Sequence, residues 1–311
     1  MSDFTIIIPS YNGLQQLKRW FGVCYPLKDK VLVVDSGSND GTVEYLNEIK
    51  VRYLTIPQVE FNHGATREFA RKQTDAKAVV YMTQDAIPKR VEAIECLAGH
   101  VISGDVDIAY GRQISRSGAS IFESFPRKFN YPQIDNQRTL QDVDKYGAYT
   151  FFCSDSFAAY SQQSLDKVGG FKSWYTNEDY LITAKILRNG GKIMYVSNAE
   201  VVHSHSYTLV EEFKRNFDNG HIRGLNPWIR DLVGSAEKRG MKFFRKLVNE
   251  LWKNSAHLVP YAFVQTGVKW LGFKMGYHST NWPKAVKKFC SGQSYYFDSP
   301  YYPSENRDQN G

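Results

Sequence analysis

The first hundred residues alternate short β-branched runs with segments of helical periodicity. This alternation predicts a parallel sheet wrapped by helices. The predicted strands are Phe4–Ile8, Val31–Asp35, Val51–Ile56 and Ala78–Met82. The predicted helices are Leu14–Phe21, Thr42–Ile49, Ala65–Lys72 and Val91–Val101. We therefore expect an α/β fold in which ligands bind at the carboxyl ends of the strands.

The alternation weakens after Gly104, where the chain becomes aromatic and irregular. Strands are still predicted over Asp107–Gly111 and Tyr149–Tyr160. Asn177–Asn189 has a helical pattern that two glycines terminate. Two further apolar segments follow this helix: Lys192–Ser197 and Val201–His205.

The pattern changes again at Tyr207, beyond which the chain is helical, basic and rich in tryptophan. We therefore predict a catalytic unit over residues 1–206 and a helical extension over residues 207–311. The tail of the extension, from Tyr295 onward, contains prolines and is expected to be extended or loose.

Two carboxylates end apolar strands. Asp35 and Asp85 would meet at one edge of a parallel sheet, beside glycine-rich backbone and Arg67. This combination suits a nucleotide diphosphate held through a divalent cation. Taken alone, Asp35 suits a turn or helix-capping role equally well. The chain has no Gly-x-x-x-x-Gly-Lys-Ser/Thr sequence, which excludes a P-loop.

An acid pair and two histidines form a second candidate cluster. Glu178 and Asp179 begin a predicted helix, where the helix dipole favours acids, so capping is an alternative explanation for them. His203 and His205 end an apolar segment. An imidazole beside carboxylates is a metal ligand in many sites, although one of the two histidines can equally be structural.

The strand-end segments resemble those of a known family, the inverting family 2 glycosyltransferases of GT-A fold. This resemblance covers about two-thirds of the chain and rests on Ile6–Asn12, Val33–Thr42, Asp85 and Glu178-Asp179. Other segments resemble the bacterial rhamnosyltransferase branch, including the streptococcal enzymes that extend a rhamnan backbone of the cell wall. These segments are Glu60–Arg67, Met82–Pro88, Cys153–Tyr160 and Val168–Phe171.

The resemblance implies a Rossmann-like GT-A domain with a C-terminal helical extension, and a specific reaction. In that branch L-rhamnose passes from dTDP-β-L-rhamnose to a hydroxyl of a rhamnose-containing, lipid-linked acceptor, during synthesis of cell-surface polysaccharide. The expected mechanism is a single in-line displacement with inversion, assisted by Mn²⁺ or Mg²⁺. The alternatives are another nucleotide sugar as donor, or a non-catalytic glycan-binding or assembly protein of the same fold.

The resemblance also assigns residues to nucleotide binding. Pro9, Tyr11 and Asp35 match positions that hold the nucleotide base, and Arg67 matches an arginine near the diphosphate. The metal-binding Asp-x-Asp element of the family reads Thr83-Gln84-Asp85 here, so its first acid is missing. This departure leaves open whether Gln84 contacts the ribose or the metal.

The remaining family positions belong to the metal and to catalysis. Asp85 and His203 match metal ligands, and the cation would stabilise the charge that develops on the leaving nucleotide. Asp179 matches the general base, and Glu178 is the other member of the acid pair. The base must remove the proton of the acceptor hydroxyl as that oxygen attacks the anomeric carbon.

Four positions have both a sugar-binding and a structural interpretation. His63 can contact the donor or bond the local backbone. Asp155 can bind a donor or acceptor sugar, or it can pair with a nearby base. Trp174 and Tyr175 can form a wall on which the acceptor stacks, or they can pack in the core.

The positive charge is concentrated in the C-terminal extension. The chain carries +7, yet residues 207–288 contain 15 basic and 6 acidic residues, or 15 − 6 = +9. Within Lys238–Lys253, apolar positions recur at helical spacing between cations: Met241, Phe244, Val248 and Leu251. We expect this helix either to lie on an anionic membrane or to pack on the catalytic unit or a second subunit. Nucleic-acid binding is disfavoured, because no recognised motif accompanies the charge.

The start of the chain runs directly into a strand-like segment. It has no basic region followed by a long apolar stretch, so no secretory signal is predicted. The expected location is the cytoplasm, with peripheral attachment to the inner face of the cell membrane.

Overall fold

A mixed β-sheet with helices on both faces organises residues 3–233 and 237–303, which this computed structural model describes. The strands in these ranges are β1 (Phe4–Ser10), β2 (Val31–Asp35), β3 (Arg52–Thr55), β4 (Ala78–Met82), β5 (Ile87–Pro88), β6 (Ile108–Ile114), β7 (Asn136–Arg138), β8 (Phe157–Ser161) and β9 (Ile193–Val202). Their order across the sheet is β3-β2-β1-β4-β8-β6-β9-β5, and β7 pairs with β9.

The helices alternate with the strands in the first half of the chain and follow one another in the last third. They are α1 (Leu14–Cys24), α2 (Thr42–Glu48), α3 (His63–Arg71), α4 (Glu92–Ile102), α5 (Ile121–Asn130), α6 (Val143–Tyr146), α7 (Gln162–Lys167), α8 (Glu178–Arg188), α9 (Leu209–Leu225), α10 (Pro227–Val233), α11 (Glu237–Asn254), α12 (Val259–Tyr277) and α13 (Lys284–Cys290). Each predicted helix up to α4 corresponds to one of these.

The first four predicted strands form the parallel half of the sheet, as expected. Side chains alternate between two apolar layers, so that Ile6 and Ile8 pack on one face of β1 and Ile7 packs on the other. Ser10 lies opposite Asp35 in the β1–β2 register. The polar loops that follow these strands therefore share one edge of the sheet.

The prediction of a strand over Tyr149–Tyr160 is wrong in its first half. Residues 147–151 form a 3₁₀ turn, and β8 begins only at Phe157. The buried guanidinium of Arg138 donates to the carbonyl oxygens of Tyr149 and Phe152 (2.8 Å for Phe152). Because a side chain satisfies these carbonyls, the segment does not need a neighbouring strand.

Other differences arise where the sequence pattern is short or interrupted. The first predicted segment continues as one strand, β9, as far as Val202, so that only the first two residues of Val201–His205 belong to it. The sheet register shifts at Gly111/Arg112 of its neighbour β6. The short strands β5 and β7 and the helices α5, α6 and α7 have no counterpart among the predicted elements. All except α5 are too short to give a clear period, and α5 carries a proline, Pro126, in its interior.

The segment after α13 is ordered by its aromatic side chains, contrary to the expectation of a loose tail. Residues 294–298 form a 3₁₀ turn, and Tyr296 and Phe297 are buried. The ring of Tyr296 stacks on that of Tyr175, with centroids 4.2 Å apart. The rest of the predicted tail, residues 304–311, lies outside the described residues. The boundary at residue 206 falls in the loop between β9 and α9 and stays a prediction.

Helices α9 and α12 pack closely through glycines on both. An added Cβ at Gly272 or Gly276 would overlap the carbonyl oxygens of Phe213 and Phe217, and one at Gly220 would overlap that of Phe273. Small residues at four-residue spacing allow two helix backbones to approach each other in this way. No helix of the described residues is long and apolar enough to cross a membrane.

Gly276→Ala tests this close approach. We expect a loss of about 1–3 kcal/mol in the free energy of unfolding, because the added methyl group overlaps the backbone of α9. Gly267→Ala in the same helix is the matched control, since no atom lies within 4 Å of its added Cβ. There the gain in helix propensity should raise stability by about 0.5–1 kcal/mol. Urea unfolding of both variants measures the difference, and equal effects would contradict the packing.

Candidate functional site

The loops after β1 and β2 are joined by hydrogen bonds into one surface. Asp35 ends β2, and its Oδ2 accepts the N–H groups of Gly37 and Ser38, both at 3.0 Å. Ser38 Oγ in turn accepts the N–H of Asn12 (2.8 Å), and Ser38 also donates to Asp35. Asp35 is buried and has the turn-forming role considered for it. Tyr11, by contrast, presents its ring to solvent, with 42% of its surface exposed.

Gln84 fixes the loop after β1. Its Oε1 accepts from Ser10 Oγ (2.8 Å) and from the N–H of Tyr11 (3.1 Å), and its Nε2 donates to the carbonyl oxygen of Tyr11 (3.2 Å). This amide pairs with the backbone as a neighbouring strand would. Pro9 and Tyr11 therefore lie on a segment held by Gln84.

A buried guanidinium lies at the centre of the acid cluster. Arg67, on α3, places Nη1 at 2.7 Å from Glu178 Oε1 and Nε at 3.1 Å from Asp155 Oδ2. Nη1 also donates to the carbonyl oxygen of His63 (3.0 Å). All three charged side chains are buried. Arg67 thus pairs with both acids: Nη1 donates a hydrogen bond to Glu178, and Nε is in ionic contact with Asp155.

Asp155 lies beneath the site. It is 2% exposed, it pairs with Arg67, and its Oδ1 accepts the hydroxyl of Tyr160 at 2.6 Å. Burial raises the pKa of the Asp155 carboxyl, against the lowering effect of the Arg67 charge. These contacts agree with the pairing interpretation of Asp155.

The acid pair occupies the first turn of α8, after Asn177 with its left-handed backbone (φ 56°). Glu178 turns inward to Arg67, whereas Asp179 stays partly exposed. Asp179 Oδ1 accepts the N–H of Tyr180 (2.6 Å), and Oδ2 has a longer contact with the N–H of Asp155 (3.4 Å). Burial, reinforced by the charge of Glu178, raises the pKa of Asp179. A base poised near neutral pH has this character.

Asp85, His203 and His205 form a group that can hold a metal ion. One ligand atom from each lies within 4.8 Å of the others. The Oδ2 of Asp85 is 3.1 Å from Nε2 of His205 and 3.5 Å from Nε2 of His203. Burial alone would raise the pKa of Asp85, but the two imidazoles beside it hold that pKa well below its ordinary value.

The donor set fits a divalent cation. Gln113 Oε1 lies 3.0 Å from His203 Nδ1, so Nδ1–H donates to it and leaves Nε2 available as a ligand. The two Nε2 atoms lie only 3.1 Å apart, on the same side of the site as Asp85 Oδ2. One carboxylate oxygen and two imidazole nitrogens suit Mn²⁺ and are compatible with Mg²⁺.

Hydrogen bonds connect this triad to the acid pair. Gln113 Nε2 donates to Ser154 Oγ at 2.8 Å, and the N–H of the next residue, Asp155, points to Asp179. The structure therefore brings together Asp85, His203 and Asp179, which are far apart in sequence.

The positions with both a sugar-binding and a structural interpretation differ in how accessible they are. His63 begins α3 beside Arg67, and burial together with that charge lowers its pKa to about 3. Trp174 is partly exposed, and its carbonyl oxygen accepts the N–H of Gly64 (3.1 Å), which holds it next to His63. Tyr175 is fully buried against Tyr296. It packs in the core and offers no surface to an acceptor.

Three residues of this region were missed as site candidates. The resemblance assigns only His203 to the metal, although the two-residue spacing between His203 and His205 is a usable signal that both side chains lie on one side. Gln113 gave no sequence signal. Tyr295, in the segment expected to be loose, places its ring 6.2 Å from that of Phe61, beside His63.

His205→Ala tests the metal site independently of activity. We expect Mn²⁺ to bind more weakly, because one of three ligands is lost. Gln113→Leu should also weaken binding by about tenfold or more, since it frees the ring of His203. Isothermal titration with Mn²⁺ measures both. His257→Ala, at an exposed histidine of the C-terminal extension, is the control. Unchanged affinity in all three variants would contradict the site.

Comparison with known proteins agrees with this geometry. The Glycosyl transferase family 2 model matches residues 5–169. The chain is 34% identical over 310 residues to O-antigen chain rhamnosyltransferase RfbN of Salmonella typhimurium, covering 96% of this chain and 98% of the relative. It is 32% identical to O-antigen chain rhamnosyltransferase WbaN of Salmonella anatum, covering 98% of each.

A solved structure shares the fold. The mannosyltransferase PcManGT of Pyrobaculum calidifontis, solved with GDP-Man and Mn²⁺, superposes with a TM-score of 0.60 at 14% identity. The superposition covers 90% of this chain and 87% of that structure. The mixed α/β sheet is thus a GT-A fold, with α9–α13 as a helical C-terminal region. The chain is a glycosyltransferase and belongs to glycosyl transferase family 2.

Proposed function

We propose that this glycosyltransferase transfers L-rhamnose from dTDP-β-L-rhamnose to a hydroxyl of a lipid-linked, rhamnose-containing acceptor, in the synthesis of a surface polysaccharide. The rhamnosyl specificity is supported by RfbN and WbaN, two O-antigen chain rhamnosyltransferases that align with almost the whole chain. The reaction is supported by one observation above all: a partly exposed acid connects through hydrogen bonds to a metal-binding triad.

Asp179 is the general base in this proposal. Its Oδ1 is committed to the N–H of Tyr180, so Oδ2, with only a 3.4 Å contact, receives the proton of the acceptor hydroxyl. Its raised pKa makes it a stronger base than an ordinary aspartate while leaving it largely ionised in mildly alkaline conditions. The acceptor oxygen then attacks the anomeric carbon in one displacement, which inverts that centre.

Glu178 and Arg67 position this base. Glu178 is ion-paired to Arg67, which fixes the first turn of α8 and with it the direction of Asp179. The negative charge of Glu178 also contributes to the raised pKa of its neighbour. Glu178 therefore acts through Asp179.

The donor nucleotide is assigned to the joined loops after β1 and β2. Asp35 and Tyr11 would meet the base, with Pro9 in the same segment and Gln84 holding it in place. Asp85, His203 and His205 would hold Mn²⁺ or Mg²⁺, which when bound supplies positive charge to the leaving diphosphate. Sugar contacts are assigned to His63 and Trp174 at the mouth of the acid cluster.

Asp179→Asn tests the assignment of the base. We expect kcat to fall by roughly 100- to 10,000-fold, because the amide cannot accept the proton. The assay combines dTDP-rhamnose, Mn²⁺ and a synthetic lipid-linked rhamnoside, with product identified by mass and linkage analysis. Asp75→Asn, at an exposed surface acid, is the matched control.

Two results would overturn the proposal. If Asp179→Asn keeps wild-type activity, Asp179 is not the general base. If a different nucleotide sugar is turned over faster than dTDP-rhamnose, the assigned donor is wrong and the transferase assignment stays intact.

Glu178→Gln tests the electrostatic coupling within the acid pair. The base acts when ionised, so kcat should rise with pH through the raised pKa of Asp179. Removing the neighbouring negative charge lowers that pKa, so the acid limb should move to lower pH by about one unit. Glutamine retains an oxygen for Arg67, which limits structural change. The kcat–pH profile measures the shift, and a limb that stays fixed or moves upward would contradict the coupling.

A further inference from the structure

Helix α12 exposes large apolar side chains to solvent and turns polar side chains toward the protein interior, the reverse of the usual arrangement. Its outward stripe is apolar and recurs at helical spacing. The large side chains of this stripe, which we call the α12 face, are Phe263, Val264, Trp270 and Leu271. They are exposed by 58%, 52%, 58% and 47%, respectively. Four large apolar side chains in one outward stripe indicate an interaction surface.

The inward side of α12 is where its polar groups lie. Gln265 Nε2 donates to Glu212 Oε1 at 3.2 Å, and Lys269 Nζ lies 2.9 Å from the same oxygen. Gly272 and Gly276 complete this inward side against α9. On the α12 side, this close contact with α9 includes glycines and polar side chains, and it leaves the large apolar residues of α12 facing outward.

Helix α11 contributes the positive charge beside this face. Of the two alternatives left open for its apolar side, packing applies to most of it: Leu247 and Leu251 are buried in a small core with α12, whereas Met241 stays exposed. The ring of Phe244 contacts that of Phe263, with centroids 4.9 Å apart. In the same turns, the other side of α11 exposes three cations. These cations line a groove of about 430 Å³ together with two other side chains, and the full lining is Met241, Lys242, Arg245, Lys246 and Asn249.

We propose that the α12 face, with the exposed cations of α11, binds the surface of an anionic lipid bilayer. Helix α12 would lie in the plane of the interface, with its outward aromatic and aliphatic side chains among the acyl chains. Arg245 and Lys246 would meet the anionic headgroups, each adding about fivefold to the partition constant. Trp252, Trp270 and Tyr261 are exposed side chains of the kinds enriched at such interfaces.

Charge favours a bilayer over a second copy of this chain as the occupant. A symmetric dimer through this face would bring two segments of +9 together, and like charges oppose that contact. An anionic bilayer supplies the opposite charge over the whole surface. This inference does not depend on which sugar is transferred, since it rests on α11 and α12 alone.

Vesicle flotation tests the proposal. The full chain should float with vesicles of phosphatidylcholine and phosphatidylglycerol, and much less with phosphatidylcholine alone. Trp270→Ser and Phe263→Ser should each lower binding by about tenfold or more, because a buried aromatic contact is lost. Ile134→Ser is the matched control, since Ile134 is a 74% exposed apolar residue of the catalytic unit. Circular dichroism melts should show unchanged stability for these exposed positions.

Charge reversal gives a second, independent variant. Arg245→Glu and Lys246→Glu should each weaken binding to the anionic vesicles at least about fivefold and leave the weak binding to phosphatidylcholine unchanged. Failure of the wild-type protein to float with anionic vesicles would overturn the proposal. The proposal would also be overturned if light scattering shows a dimer of the wild-type protein and Trp270→Ser converts this dimer to a monomer without changing flotation. If the wild-type protein floats with anionic vesicles but shows no transferase activity on a short acceptor in solution, the result counts against the proposed function and leaves the membrane proposal intact.

Discussion

The buried guanidinium of Arg67 is the interaction on which the site depends. Three carboxylates, of Asp155, Glu178 and Asp179, lie in one largely buried volume, and Arg67 is ion-paired with two of them. Losing one partner of a buried ion pair typically costs about 3–5 kcal/mol, because the remaining charge has neither water nor a counter-ion. Arg67 belongs to α3 in the parallel half of the fold, whereas the acids come from the second half. The ion pairs thereby fix the two halves against each other at the candidate site.

The site has two separate centres. One is the buried cation of Arg67, which pairs with the acids. The other is the triad of Asp85, His203 and His205, whose ligand atoms lie within 4.8 Å of one another. The mixed topology of the sheet makes this arrangement possible, because antiparallel β8 inserts between β4 and β6 and carries the Asp155 loop toward the loop after β4. Gln113 and Ser154 then connect the centres through neutral hydrogen bonds.

The sequence predicted best what depends on local periodicity. The strands up to Met82 and their helices appear with small shifts at the ends, because β1, β2 and β4 are buried on both faces and therefore give short continuous apolar runs between helical patterns. Interactions between distant residues were out of reach: nothing local shows that Arg138 takes the carbonyls of Tyr149 and Phe152, or that Gln84 holds Tyr11. For α12, the sequence shows many apolar residues, but it does not show which side of the helix faces solvent. Its polar side turns inward only because Glu212 of α9 is there to meet it.

The stacking of Tyr296 on Tyr175 has a consequence for how the molecule acquires its activity. Tyr175 lies three positions before Glu178, so the loop that enters the acid pair is covered by a ring that follows it by 296 − 175 = 121 positions along the chain. Contacts this distant in sequence form late and slow the folding of the regions that need them. The loop that leads into Glu178 therefore reaches its packed form only after the segment that carries Tyr296 has docked on it.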